Sequence, residues 1–128
     1  MILVVIRMDC LFCKIVNNEM ESKCIYEDDL VKCIMDAYPN VDGHVLIIPK
    51  KHYTDYTELP AELVNHIYEV SKKLNPMLIE KLNVNSLSMV VNYLDAQVIK
   101  HFHLHLLPNY GKSTASKSVD EVFDLLTK

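Results

Sequence analysis

The run Lys100-His101-Phe102-His103-Leu104-His105-Leu106-Leu107-Pro108 limits the fold of this chain more than any other segment. Histidine alternates with apolar residues. A period of two belongs to an extended strand, whose successive side chains point to opposite faces. The three imidazoles therefore share one surface, and Phe102, Leu104 and Leu106 face a core. A sheet core has no use for three consecutive histidines on its other side. Neutral imidazoles clustered in this way belong to nucleophiles, proton carriers or metal ligands. A single strand histidine is ordinary; three on one face point to a functional site.

The rest of the chain reads as a sheet built around that strand. Cys10 to Val16 reads as a tight turn leading into a short helical piece. Cys24 to Glu27 and Val31 to Met35 are expected strands, and Asp28-Asp29 between them is an expected hairpin turn, which makes the pair antiparallel. Pro39, Asn40, Asp42 and Gly43 mark the stretch from Ala37 to Gly43 as a loop. Val45 to Ile48 is continuously apolar, the pattern of a central strand. Leu63, Ile67, Val70 and Leu74 follow helical spacing after Pro60, a good first-turn residue. At Asn75-Pro76 that helix either kinks or gives way to a second one. Leu87 to Val91 is a fourth strand. Asn109 to Lys117 is a polar stretch. Ser118 with Glu121 forms a capping box for a terminal helix. Antiparallel strands with one long inserted helix give an α+β fold with a five-stranded sheet. The expected organisation is one domain over residues 1–128, with residues 1–8 as an extension and 109–128 as a tail carrying a short helix.

Charge and cysteine usage narrow the partners. A formal charge of -4 and a pI near 5.8 argue against a general nucleic-acid or anionic-membrane binder. Ile2 to Ile6 is apolar but too short to span a bilayer, and it lacks a signal-peptide pattern. Cys10, Cys13, Cys24 and Cys33 suit a cytoplasmic protein as thiols or metal ligands rather than disulfides.

Three further features bear on chemistry. The two-residue gap of Cys10-Leu11-Phe12-Cys13 lets both sulfurs reach one tetrahedral ion, usually zinc. Two more ligands would have to come from His44, His52, His66, His101, His103 or His105. The alternative is a pair of buried thiols filling space. Asp36, at the end of an apolar strand, could accept hydrogen bonds from a ribose diol or be a solvated turn residue. Gly43 permits close backbone approach beside His44.

Together these motifs resemble the histidine-triad (HIT) superfamily of nucleotide hydrolases and transferases, in its CxxC-containing, bacterial-type form. The family's triad appears as His101-Phe102-His103-Leu104-His105-Leu106-Leu107. Its second signature appears as Gly43-His44-Val45-Leu46-Ile47-Ile48-Pro49-Lys50-Lys51-His52. Cys10 to Ile15, Tyr26 to Asp29, and Gln97 four residues before the triad also match. The resemblance implies His103 as a nucleophile toward a nucleotide α-phosphate, forming a nucleotidyl-histidine, with His105 and His44 supporting it. It implies Asp36 on the ribose hydroxyls. Phe12, Ile15, Ile34, Met35 and Ala37 would form the apolar cleft around the base. Asn92, Gln97 and the following position, Val98, would lie near the phosphate. It implies structural zinc on Cys10, Cys13, His52 and His101, a purine nucleotide substrate, and a homodimer joining two sheets.

One stretch departs from the family pattern. Asn92-Tyr93-Leu94-Asp95-Ala96-Gln97-Val98 is two residues shorter than in many relatives and has no glycine. Val98 offers no hydroxyl where some relatives have Ser or Thr. Losing one donor at a transition state can cost about 2.7–4 kcal/mol. The departure points to slow turnover or an unusual substrate. It also motivates a second reading, a zinc-stabilised nucleotide-binding module with little turnover. A third reading, a metallohydrolase using the triad as catalytic ligands, would need a carboxylate cluster that the sequence lacks.

Overall fold

The computed structural model describes residues 10–128; the expected extension at 1–8 lies outside them. The elements are α1 (Leu11–Val16), β1 (Cys24–Glu27), β2 (Val31–Met35), β3 (Val45–Pro49), α2 (Ala61–Leu82), β4 (Leu87–Val90), β5 (Leu104–Pro108) and α3 (Val119–Thr127). Single 3-10 turns lie at Tyr56–Glu58 and Leu94–Ala96. Among the described residues the strands form one sheet in the order β1-β2-β3-β5-β4, antiparallel throughout. This is the expected α+β arrangement, with β3 at its centre and buried at every position.

Asp28 builds the β1–β2 turn. Its Oδ1 accepts from the backbone N–H of Leu30 (2.8 Å) and Val31 (2.9 Å). Its Oδ2 accepts from the Tyr26 hydroxyl (2.8 Å) and the His66 ring (2.7 Å). Burial alone would raise this carboxyl, but the hydrogen bonds from Leu30, Tyr26, Val31 and His66 hold it down at about 2. His66 thus ties α2 to the hairpin and stands apart from the histidine cluster.

The sheet has two dressed faces. Val31, Cys33, Met35, Val45, Ile47, Phe102, Leu104 and Leu106 pack with Leu63, Ile67, Val70, Leu74 and Leu78 of α2. On the other face Ile34, Leu46 and Ile48 pack with Cys10, Phe12, Cys13 and Ile15 of the α1 segment.

Helix α2 runs unbroken from Ala61 to Leu82 with Pro76 inside it and Pro60 as its N-cap. Of the two outcomes open at Asn75-Pro76, a second helix is not formed. A proline inside a helix costs about 3 kcal/mol. Leu74 and Leu78 are both buried on either side of it, and burying each is worth about 1.5–3 kcal/mol. Continuity keeps both on the sheet.

The structure refines the histidine strand. The β5 ladder begins at Leu104, opposite Ile47, so His101 and His103 precede it. The interruption has a local cause. Phe102 N–H donates to the Tyr53 carbonyl at 2.7 Å, not to a ladder partner. The side-chain alternation nonetheless persists through all three histidines, with Phe102, Leu104 and Leu106 in the α2-side core.

Gly43 has φ +83°, and a Cβ there would lie 2.3 Å from Leu82 Cδ1 and 3.3 Å from Pro108 Cγ. Only glycine fits this contact between the loop before β3, the end of α2 and the end of β5. The expected capping box at Ser118 and Glu121 starts α3. The polar stretch ahead of it is tied at Asp42, which accepts from the backbone N–H of Ser116 (3.0 Å) and Lys117 (3.1 Å) and from the Ser116 hydroxyl (2.9 Å).

Candidate active site and metal centre

Cys10 caps α1 and Cys13 lies one turn on, with its N–H donating to Cys10 Sγ at 3.3 Å. That places both sulfurs against the start of the histidine run. Cys10 Sγ lies 3.4 Å and Cys13 Sγ 3.5 Å from His101 Nδ1, and Cys13 Sγ lies 3.2 Å from His52 Nδ1. A tetrahedral site with ligand bonds of about 2.0–2.3 Å has edges of about 3.3–3.8 Å. The two separations to His101 fall in that range, and the one to His52, at 3.2 Å, lies just below it. The ligand atoms of Cys10, Cys13, His52 and His101 all lie within 4.8 Å of one another, so the group could hold a metal. The tautomer fits as well. His101 Nε2 donates to the Pro49 carbonyl at 2.8 Å, which leaves the Nδ1 lone pair facing the sulfurs. Burial, with the neighbouring His52, pushes His101 down to about 4 despite the Pro49 bond, so its ring is neutral at pH 7.

His44, His103 and His105 form a second set with their own fixed tautomers. His103 Nδ1–H donates to the His101 carbonyl at 2.8 Å, which leaves Nε2 with a free lone pair. Asn40 N–H donates to His44 Nδ1 at 3.1 Å. His44 Nε2 therefore carries the proton and donates to His105 Nδ1 at 2.9 Å, with Asp36 Oδ2 at 3.5 Å. His105 in turn carries its proton on Nε2, 3.3 Å from the Asn92 amide. The Asn92 end that faces this N–H has to be the amide oxygen. Burial lowers the pKa of His103 and of His44, although Asp36 raises both. Burial, then His103 and His44, pushes His105 to about 4. At neutral pH the whole set is uncharged.

Asp36, His44 and His105 also lie close enough to be considered as metal ligands. The hydrogen bonding opposes this. Asn40 N–H occupies the Nδ1 lone pair of His44, so Nε2 holds a proton and offers no lone pair to a metal. A catalytic-metal reading of the triad has no support here.

The other sequence candidates divide. Phe12, Ile15 and Ile34 share the histidine side of the sheet. Met35, read as part of the same cleft, packs its side chain in the α2-side core, because it follows Ile34 on a strand and so faces the other way. Ala37 is exposed beyond β2. Asp36 Oδ1 accepts from Tyr38 N–H at 2.8 Å. Gln97 is buried, and its amide donates to the carbonyls of Thr54 (2.6 Å) and Ile99 (3.0 Å). Val98 is 89 % exposed. Lys100 Nζ donates to the Leu94 and Gln97 carbonyls at 2.7 and 2.6 Å, holding the shortened loop in which Leu94 takes φ +55°.

Sequence reasoning missed Asn40, Pro49 and Lys100. Asn40 and Pro49 act through the backbone, where side-chain identity carries no signal. A charged side chain spent on two loop carbonyls leaves no motif either.

A neutral His103 ring fixed by the His101 carbonyl, beside the bonded pair His44 and His105 on an antiparallel sheet, is the arrangement that the comparisons with known proteins bear on. The HIT domain family model matches residues 17–112. The chain is 36% identical over 105 residues to the adenylylsulfatase HINT3 of Arabidopsis thaliana, covering 80% of this chain and 53% of that protein. It is 33% identical over 113 residues to the adenosine 5'-monophosphoramidase HNT1 of Candida albicans, covering 82% of this chain and 73% of that one. The crystal structure of a zinc-bound histidine triad family protein from Mycobacterium smegmatis superposes with TM-score 0.84 at 31% identity, covering 94% and 91% of the two chains. The chain belongs to the HIT family, and its CxxC pair beside histidines agrees with the CxxC-containing subtype.

Proposed function

We propose that this protein cleaves a purine nucleotide at its α-phosphate, from a nucleoside phosphoramidate or a dinucleoside polyphosphate, through a nucleotidyl-His103 intermediate. The observation that carries the reading is the His103 ring, whose Nδ1–H is committed to a carbonyl while Nε2 keeps its lone pair. In the first step a bond forms from Nε2 to phosphorus and the bond to the leaving group breaks, the leaving group taking the electron pair and, where it is an amine, a proton from solvent. The ring gains positive charge as it becomes phosphorylated, and the His101 carbonyl, accepting from Nδ1–H, stabilises it. His44 N–H donates to His105 and His105 N–H faces Asn92; a phosphate oxygen would take over the His105 N–H from Asn92, with His44 holding the His105 ring. In the second step water attacks phosphorus and gives its proton to solvent, and the neutral imidazole leaves with the electron pair of the P–N bond. Asp36 receives the ribose, and Phe12, Ile15 and Ile34 receive the base. The named activities of the Arabidopsis and Candida relatives, both on adenylyl compounds, support this class of substrate.

Cys10, Cys13, His52 and His101 are proposed to hold zinc, the metal favoured by two sulfurs and two nitrogens in tetrahedral array. With four protein ligands the ion keeps no open position, so its contribution is structural. The protein is proposed to be a cytoplasmic homodimer, each chain one HIT domain. Support comes from β4, an edge strand with Met89 exposed. An apolar groove of about 350 Å³ beside it is lined by Tyr56, Ile67, Tyr68, Val91 and Tyr93 among others. A second copy would cover both. None of the described helices is long and apolar enough to cross a membrane.

The test is a panel of adenylyl and guanylyl phosphoramidates, adenylyl sulfate and dinucleoside polyphosphates, with intact-protein mass spectrometry after acid quench. A nucleotide-sized adduct mapped to His103 is the expected result. The second reading, a binding module with little turnover, is favoured by the exposed Val98 in place of a hydroxyl. Tight nucleotide binding without any adduct would establish it instead.

A further inference from the structure

His103 meets the His105 ring at 4.7 Å between centroids, and two further contacts come from the cysteine–histidine cluster. Its Nδ1–H bonds to the carbonyl of His101 at 2.8 Å. Its ring meets the Phe12 ring edge-to-face at 4.9 Å between centroids, with an interplanar angle of 86°. Phe12 lies between Cys10 and Cys13 and also meets the His101 ring at 6.0 Å. It is 4 % exposed. A ring held by one N–H bond alone can turn about its Cβ–Cγ bond and carry its lone pair elsewhere; a buried aromatic edge against its face resists that turn.

Phe12 packs with Ile34, Leu46 and Ile48, but the helix that carries it is short. A helix of six residues is not stable alone. Among the described residues α1 is tied to the sheet by apolar contacts and by Lys32 Nζ donating to the Ile15 carbonyl at 3.1 Å. The remaining fixed points are Cys10 and Cys13 facing His101 and His52.

We propose that Cys10, Cys13, His52 and His101, drawn onto one metal ion, position the nucleophile. They fix Phe12 and the His101 carbonyl, which together hold His103 in a single tautomer and ring orientation. Phe12 is the positioning residue. This rests on the reading of His103 as the nucleophile. It goes beyond a structural metal in that the cluster sets catalytic geometry as well as stability.

The experiment compares metal-loaded wild type, metal-loaded Phe12→Leu and chelator-treated wild type. Metal content is measured by mass spectrometry, the His103 tautomer by long-range ¹H–¹⁵N correlation, and the rate of adduct formation on His103 by rapid quench. Loaded wild type should show only the Nδ1–H form. Phe12→Leu should keep its metal, mix tautomers and form adduct about 10- to 100-fold more slowly, the scale of loss for a misplaced reacting group. Chelation should change both readouts in the same direction. A variant that loses metal and single tautomer together also supports the linkage. A single tautomer in loaded Phe12→Leu would overturn it whatever the adduct rate, because loss of a base contact alone slows adduct formation without mixing tautomers. If the chelated protein unfolds, the Phe12→Leu arm decides. If wild type forms no adduct at all, the nucleotidyl-transfer reading fails, and the tautomer comparison still decides the positioning.

Discussion

The two faces of the sheet are built from the same strands and ask opposite things of them. Toward α2 the side chains are apolar and interchangeable in kind, and the face gains stability from buried area. Toward α1 the apolar set is smaller, and beside it lie buried imidazoles whose protons are assigned by particular carbonyls and N–H groups. Burial makes the first face strong. The same burial keeps the histidines of the second neutral, the form that the proposed nucleophile and ligands require. One face stores the free energy that keeps the other in an arrangement it would not adopt alone.

The sharpest way to break this contrast is His103→Ala. Turnover of the best panel substrate should fall by about 10⁴-fold or more, while the denaturation midpoint stays close to wild type; retained turnover would end the assignment. Next, Leu78→Ala on the α2 side, at a fully buried position, should cost about 2–5 kcal/mol by urea titration. Turnover per folded molecule should not change, and a collapse there would mean that the faces are not separable.

A smaller effect comes with pH. His105 is held near 4 in the fold against an ordinary 6.5, so between those values the unfolded chain binds more protons than the native one. Stability is then full above about pH 6.5 and lost as pH falls toward about 4, by up to about 3 kcal/mol from this group. Denaturant titrations at pH 7 and pH 4.5 should show the loss in wild type and a reduced loss in His105→Asn. The smallest effect is expected at Leu94→Gly. Relief of the left-handed backbone at φ +55° and the freer unfolded chain nearly offset, so stability should move by less than about 1 kcal/mol.

Much of this was legible in the sequence, for identifiable reasons. β1 and β2 carry turn chemistry at Asp28 that the hairpin uses directly. The alternation of the triad determined its faces even where the ladder stops short at Leu104. Pro76 was ambiguous because a local cost competes with burial that only the tertiary fold supplies. Met35 packs on the α2 side, opposite Ile34; a motif match carries no face information, whereas strand parity does. Asn40, which fixes the proton on His44, could not be found at all, since every residue but proline has the same backbone donor.

The contact at Gly43 makes α2 a gauge block for the histidine face. The helix spans 22 residues, and its last leucine, Leu82, touches the loop that delivers His44. One inserted residue in the second half of the helix would swing that leucine by about 100° and release the loop, without altering any residue near the histidines. Homologues should therefore vary freely in the solvent-facing residues of α2 and hardly at all in its length.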